Sequence, residues 1–460
     1  MLFTQIEFLI FFVAIFVAVW VTRGRATRNA ILLIASYYFY AYWDVRFCGL
    51  LVLSTFVDYF VAIEIDRSDD PIVRRRWLWF SLAVNLGVLG TFKYFDFFIE
   101  SAAMLFASAG LHSHTLKLIL PVGISFYTFQ TLSYTIDVYR RQLKPTKSLL
   151  EFAVYVAFFP QLVAGPIVRA RELLPQLAVV PDWSSRRCYG GFQQMLRGAV
   201  KKILIADRLA EMVDVVFAGP ELYNSLTVWI AVIAYAGQIY YDFSGYTDIA
   251  IGAAKMLGYQ FPPNFRHPYL ATSIAEFWRR WHMTLSRWLR DYLYIPLGGS
   301  GGSAASTYRN LMLTMTLGGL WHGAAWTFVL WGVVHGVVLC LERALRDFSR
   351  FRLPMLAHWA ITIVIVLFAW VFFRSPDMQV AKACFSHMLI PSSGIAWYPP
   401  LVLGAIACMV LEHLAWRTKL RFAMRLRADQ WYSPVVTTVM IWALLVYAPQ
   451  GFLPFVYFQF

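Results

Sequence analysis

His322 stands in the run LGGLWHGAAWTFVLWG (317–332), whose residues are small, aliphatic or aromatic, with no acidic partner within seven positions. An imidazole in such surroundings is desolvated, and desolvation favours its neutral form. A neutral imidazole accepts a proton, which is the chemistry of a general base for a hydroxyl nucleophile. The alternative is a histidine that satisfies a hydrogen bond between helices. Gly318, Gly319 and Gly323 favour the chemical role, because a helix that only packs gains nothing from glycine. His282 follows Trp281 in FWRRWHMTLSRWLRDYLYIPLGG (277–299), ahead of Thr284 and Ser286. It could orient a substrate or assist the base; its plain role is an interfacial polar residue. His335 reads as packing, and His112, His114, His358, His387 and His413 as loop or span-end residues.

Asp242 and Asp248 lie in the apolar stretch YYDFSGYTDIAIGAAKMLG (240–258). Buried carboxylates need partners. Either they bond to backbone or to an arginine of the 266–290 region, or they form the wall of a polar tunnel. GGSGG (298–302) matches the G-x-S-x-G pattern around Ser300, but no strand precedes it and a flexible turn is expected. There is no P-loop, no H-E-x-x-H and no dinucleotide fingerprint. Cys48, Cys188, Cys340, Cys384 and Cys408 are scattered, without CxxC or zinc spacing, and read as inert thiols. No metal site is expected.

The elements that position these residues follow from composition. Of 460 residues, 59% are hydrophobic and only 14% charged, where a globular domain carries about 25% charged residues. Too little polar surface exists to coat a water-soluble body. The chain is therefore expected to be an all-α polytopic membrane protein, solvated by membrane lipid. Disordered, collagenous, coiled-coil and disulfide-stapled folds are excluded by the same numbers. Aromatic residues reach 18%, as suits bilayer interfaces and membrane interiors. With about 20 apolar residues per span, spans are expected near 5–22, 30–44, 47–64, 77–98, 117–138, 188–217, 226–258, 355–373, 397–416 and 434–456. The first run has no basic residue before it and reads as a retained helix, not a cleaved signal.

Forty Lys and Arg against 26 Asp and Glu give a formal charge of +14. No soluble basic domain exists to bind nucleic acid, whereas cytoplasmic loops of membrane proteins collect Lys and Arg. Arg23, Arg25 and Arg28 follow the first span, which places the N-terminus outside. Arg67, Arg74, Arg75 and Arg76, then Arg140, Arg141, Lys144 and Lys147, recur every second span. Only Arg46, Lys93, Lys117, Arg374 and Lys382 then face outward.

Two stretches break the alternation. Residues 149–168 are apolar with basic loops on both sides, and Pro160, Gly165 and Pro166 interrupt any helix. A re-entrant segment explains both facts, and irregular backbone at membrane depth must lie inside protein or beside a water-filled cavity. Residues 311–341 would make a straight helix about 46 Å long, against a hydrocarbon core of about 30 Å. Two segments meeting at a glycine break are expected, with His322 deep in the membrane. Residues 262–310 lie between them as a cytoplasmic funnel, with 277–299 forming an amphipathic helix at the interface or dipping into a polar cavity. The whole chain, 1–460, reads as a single integral-membrane domain.

With its companions PVGISFYTFQTLSYTIDVYR (121–140), FFPQLVAGPIVR (158–169) and YYDFSGYTDIAIG (240–252), the pair of histidine motifs resembles the membrane-bound O-acyltransferase superfamily. The similarity runs from about residue 30 to about 345 and is closest to the alginate-type members of the bacterial branch. That branch also includes peptidoglycan O-acetyltransferases and teichoic-acid D-alanylation proteins. The resemblance implies a ring of tilted helices around a central tunnel. The family's essential histidine falls on His322 and its second histidine on His282. The implied donor is a cytoplasmic thioester, acetyl-coenzyme A for acetylating members, with no tightly bound cofactor. The acceptor is an extracytoplasmic polysaccharide, reached through periplasmic or membrane-anchored acetyltransferase partner proteins at the bacterial inner membrane. Arg279, Arg280, Arg287 and Arg290 are expected to attract the donor's phosphates. Trp321, Trp326, Trp281, Asp242, Ser244 and Gln161 are expected to line the tunnel. Peptidoglycan O-acetylation, D-alanyl transfer, a non-catalytic acetyl transporter and a structural scaffold are the alternatives.

Overall fold

The computed structural model describes residues 1–106, 115–116, 118–348, 353–418, 430–447 and 455–456. The expectations for His112, His114 and Lys117 lie outside them. Every regular element among the described residues is a helix, apart from one isolated bridge between Tyr223 and Ile395. A chain in lipid must satisfy its backbone internally, and a helix does so within one segment. Among the described residues, Val45–Arg67, Pro71–Ala103, Trp326–Leu345 and Met355–Arg374 are long and apolar enough to cross a membrane. The chain forms two compact units: Met1–Met195 with Ile249–Pro262, and Leu196–Asp248 with Pro263–Phe460.

The first unit holds α1 (Ile6–Val21), α2 (Arg25–Ala41), α3 (Cys48–Arg67), α4 (Pro71–Leu89), α5 (Phe95–Phe106), α6 (Ile124–Tyr139), α7 (Leu149–Ala157), α8 (Phe159–Leu162), α9 (Ala170–Leu177) and the start of α10 (Ser185–Val200). These match the expected spans closely. A π-helical turn, Gly90–Tyr94, joins α4 to α5, so the expected span 77–98 is one bent rod. Asp70 caps α4 by accepting from the Ile72 N–H at 2.8 Å, with Pro71 at the first helical position.

Helix α6 is buried along nearly its whole length although it carries Ser125, Thr128, Gln130, Thr131, Ser133 and Thr135. Its hydroxyls find partners on α3 and α4. Asp58 accepts from Ser81, from Asn85 Nδ2 at 2.9 Å and from Thr135 Oγ1 at 2.9 Å. Asn85 Oδ1 accepts in turn from Ser54 at 2.6 Å and Thr131 at 3.3 Å.

In the stretch expected to be re-entrant, helix α7 stops at Phe158, one turn of α8 follows, and residues 163–169 are irregular. Helix α7 packs on α9, so the chain doubles back. Every residue from 151 to 170 is buried. This irregular backbone therefore sits inside protein, the condition under which it is tolerated at membrane depth.

The second unit continues with α11 (Asp207–Ala218), α12 (Ser225–Met256), α13 (Ile274–Arg280), α14 (Met283–Leu289), α15 (Ala304–His322), α16 (Trp326–Phe348), α17 (Met355–Arg374), α18 (Met378–Leu389), α19 (Pro400–Arg417) and α20 (Ser433–Val446). Two expectations need correction here. The segment 277–299 is not one amphipathic helix. It breaks at Trp281–His282, where His282 adopts a left-handed backbone with φ 39 and ψ 54, and ends in a π-helical turn, Arg290–Tyr294. The break in 311–341 falls at residues 323–325 only. Gly318 and Gly319 lie within helix α15 and serve packing. A Cβ on Gly319 would stand 2.3 Å from the Phe328 carbonyl oxygen, and one on Gly332 would stand 2.3 Å from that of Met315. The two helices form a hairpin as close as their backbones permit. The GGSGG run is a turn, as expected, with Gly298 at φ 110.

Candidate active site

The hairpin presents His322 at its tip, as the last residue of α15. The corner between α13 and α14 presents His282. The corner is held from both sides. Ser273 caps α13 by accepting from the Glu276 N–H at 3.0 Å. The Glu342 carboxylate of α16 accepts from the Ile274 and Ala275 N–H groups at 2.5 and 3.1 Å. A carboxylate at a helix N-terminus satisfies orphan donors and meets the positive end of the dipole, so α13 is fixed to the hairpin that carries His322.

The two imidazole centroids lie 6.4 Å apart. His282 is fully buried and His322 is 5% exposed. Around them stand rings from four helices. Trp321 lies 6.1 Å from His282 and 5.0 Å from His322. Phe243 of α12 meets His282 edge to face at 4.7 Å. Trp331 of α16 and Phe373 of α17 meet His322 at 5.1 and 5.2 Å. His282 Nδ1 lies 3.1 Å from Asn264 Oδ1. Two buried imidazoles enclosed by aromatic rings can exchange protons with a bound hydroxyl, each acting as a base in its neutral form.

Of the other expected site residues, Trp321 joins the histidines. Trp281 stacks on Phe277 at 5.5 Å and belongs to an aromatic core with Tyr240, Phe265 and Trp370. Trp326 opens α16 and is 52% exposed. Ser244 is buried and its Oγ makes no hydrogen bond among the described residues. Gln161 belongs to the first unit, where its Nε2 donates to the Tyr155 carbonyl at 2.6 Å. Asp242 takes the plain role, with partners other than arginine. Lys202 lies 2.6 Å from it, and the Val456 N–H donates to it at 2.8 Å. Lys202 also reaches Asp207 at 2.8 Å, and Lys201 pairs with Asp248 at 2.7 Å. Arg280 is bound to Glu276 and Arg290 to Asp291, each at 2.6 Å. Arg279 is exposed and Arg287 half-buried.

Sequence reasoning missed two participants, Asn264 and Glu342. Asn264 touches His282, but only the neighbouring Pro262–Pro263 turn marks it. Glu342 follows the expected 311–341 stretch and carries no motif that would mark it. His413, expected at a span end, lies four residues before the end of α19, buried, with Nδ1 2.9 Å from Met409 O and its ring against Tyr240.

The sequence pattern of the MBOAT, membrane-bound O-acyltransferase family matches residues 138–375, which include both histidines, Asn264 and Glu342. The chain belongs to the membrane-bound O-acyltransferase family. It is an O-acyltransferase of the multi-pass membrane type. It is 44% identical over 395 residues to the probable alginate O-acetylase AlgI of Pseudomonas aeruginosa, covering 84% of this chain and 75% of that one. It is 39% identical over 387 residues to the peptidoglycan O-acetyltransferase of Helicobacter pylori, covering 78% and 73%. It is 26% identical over 262 residues to the teichoic acid D-alanyltransferase of Bacillus subtilis, covering 55% and 66%. Within this family the transporter and scaffold alternatives give way to an enzyme.

Proposed function

We propose that this acyltransferase moves an acetyl group from cytoplasmic acetyl-coenzyme A to a hydroxyl on the outer side of a bacterial inner membrane, for O-acetylation of an alginate-like polysaccharide. The observation that carries the reading is the pair of buried imidazoles at the tip of the α15–α16 hairpin, 6.4 Å apart. The greater similarity to alginate O-acetylases than to the D-alanyltransferase favours acetyl over D-alanyl.

The apolar parts of the two arms, 311–322 and 326–341, are about 18 and 24 Å long. Rooted at the cytoplasmic boundary, they carry His322 past the middle of a hydrocarbon core of about 30 Å. Donor and acceptor then approach it from opposite faces, through a tunnel lined by Trp321, Ser244 and their neighbours, with the N-terminus outside. Arg279, Arg280, Arg287 and Arg290 draw the anionic donor to the cytoplasmic mouth.

His322 removes the hydroxyl proton as that oxygen bonds to the thioester carbonyl carbon. The carbonyl π pair moves onto its oxygen, where the Gly323 N–H, next in sequence to the base, is a donor, while neutral His282 assists the base. Collapse re-forms the C=O bond and breaks C–S. The thiolate takes the proton from the His322 imidazolium, and both leave neutral. Membrane-anchored or periplasmic partner proteins complete delivery to the polysaccharide.

The test is acetate mapping of surface polysaccharide in a deletion strain complemented with wild-type chain or His322→Ala at equal protein level. Loss of acetate with His322→Ala is expected. Wild-type acetate content in that strain would defeat the assignment of His322. Acetate missing from peptidoglycan instead of exopolysaccharide would replace the acceptor.

A further inference from the structure

We infer that Asn264 is a positioning residue for acyl transfer: its side-chain oxygen fixes which nitrogen of His282 carries the hydrogen, and so which nitrogen faces the reaction. The inference rests on the acyl-transfer reading above, in which His282 acts beside His322.

A backbone N–H can only donate. The Thr284 N–H points to the side-chain oxygen of Asn264 at 3.2 Å, and the Thr284 hydroxyl donates to the same atom at 2.9 Å. A backbone N–H settles the amide's orientation: the atom it meets is oxygen, not nitrogen. His282 Nδ1 meets this same oxygen at 3.1 Å. An amide oxygen cannot donate, so Nδ1 must. In a neutral imidazole with hydrogen on Nδ1, the lone pair sits on Nε2. That makes Nε2 the basic face of the ring.

The backbone supports the same geometry. Asn264 also accepts, through its main-chain oxygen, from the Met283 N–H at 2.9 Å. One residue thus grips both sides of the turn at which His282 takes its left-handed conformation, φ 39. Such a conformation is costly for a residue with a Cβ and persists because this clamp holds it. The result is an imidazole locked in rotation and in tautomer, 6.4 Å from His322.

Asn264 is 1% exposed, and its Nδ2 makes no hydrogen bond among the described residues. Replacing the amide by a carboxylate therefore breaks no existing bond and keeps every acceptor contact. This offers a sharp probe. Asn264→Asp retains the clamp and the tautomer but sets a negative charge beside the ring, which favours the protonated imidazole. Asn264→Leu keeps the size and removes the acceptor. The other ionisable groups near the ring do not supply such a charge. From α15 it faces His322; Asp242, next to Phe243 on α12, is held by Lys202; and the charged residues of α13 and α14 are Glu276, already paired with Arg280, and Arg279, Arg280 and Arg287.

The experiment uses the full chain in lipid nanodiscs, with thiol release from acetyl-coenzyme A and label transfer to alginate oligomers as readouts. For Asn264→Leu, kcat falls at least about 100-fold, the scale of a lost acid–base contribution, while KM for acetyl-coenzyme A changes little and the melting curve stays cooperative. Asn264→Asp keeps measurable turnover, and the acid limb of its pH–rate profile moves to higher pH, because more His282 is protonated at a given pH. A purely structural amide predicts the reverse order, since a buried charge is worse for folding than leucine. The inference is overturned by a folded Asn264→Leu with wild-type kcat, or by a folded Asn264→Asp that is as inactive as the leucine variant or has an unmoved acid limb. Loss of transfer in His322→Ala and His282→Ala together with a fully active Asn264→Leu would sink this inference alone. Activity in both histidine variants would sink the acyl-transfer reading instead.

Discussion

Two regions bury ionisable side chains among helices, and they do so in opposite ways. Around Asp58 the carboxylate meets donors from α4 and α6, and one of them, Asn85, accepts in turn from Ser54 and Thr131. The polarity closes on itself and ties three helices together. Around His282 and His322 the neighbours are mostly ring edges and faces, and Asn264 supplies the bond to the inner histidine. Buried polar groups that stabilise a fold are answered by polar groups, because an unanswered one costs about 1–3 kcal/mol. In the acyl-transfer reading the two imidazoles are enclosed mostly by aromatic rings, so that they can act on a bound hydroxyl.

The largest expected contrast lies between the two regions' central residues. His322→Ala should lower acyl transfer by at least about 100-fold and leave the melting temperature within a few degrees of wild type. Asp58→Ala should do the opposite. It orphans the Ser81, Asn85 and Thr135 donors, at about 1–3 kcal/mol each before relaxation, and yields less folded protein. The molecules that survive should turn over at the wild-type rate. Turnover per folded molecule and thermal unfolding in detergent check both. If Asp58→Ala folds normally but loses turnover, the division between the regions fails.

The legible part of this architecture was the part written in hydropathy. The expected span 5–22 is α1 and 355–373 is α17, because an apolar run in lipid has no alternative to a helix. The two histidines stood out because each lies among Trp and Leu, and the structure brings their rings within 6.4 Å of each other. What failed to show was whatever depends on distant residues meeting. The break at His282 is imposed by Asn264, eighteen positions upstream, so the local pattern of 277–299 still reads as a helix. Lys201 and Lys202 carried no separate signal within the expected span 188–217, yet they answer Asp248 and Asp242. The glycines were legible as special but not in their use: Gly318 and Gly319 looked like a break, and they are a contact.

That contact gives a prediction of middle size. Gly332→Ala places a methyl group 2.3 Å from the Met315 carbonyl oxygen, so α15 and α16 must part. Overpacking of this kind costs about 1–3 kcal/mol. Because His322 ends α15, the displacement should lower transfer as well as stability, bridging the two behaviours contrasted above. Gly404, with nothing within 4 Å of a built Cβ, is the control: Gly404→Ala should change neither. Unfolding and turnover measured on both variants separate the tight crossing from the general effect of adding a methyl group.

The smallest effect concerns the arginines proposed to attract the donor. Arg290 is already engaged by Asp291 at 2.6 Å and Arg280 by Glu276 at 2.6 Å, whereas Arg279 is exposed and forms no ion pair among the described residues. An arginine that has spent its charge on a neighbour attracts a distant anion less. Exposed charge interactions are worth about 0.2–1 kcal/mol, which corresponds to a change of up to about five-fold in KM. Arg279→Gln should therefore raise KM for acetyl-coenzyme A more than Arg290→Gln does, with kcat unaltered in both. The difference should vanish as ionic strength rises and the Debye length falls below the reach of the mouth. A kcat loss in Arg279→Gln, or a KM effect indifferent to salt, would place that arginine in direct contact with the donor, and the attraction at the mouth would then rest on other residues.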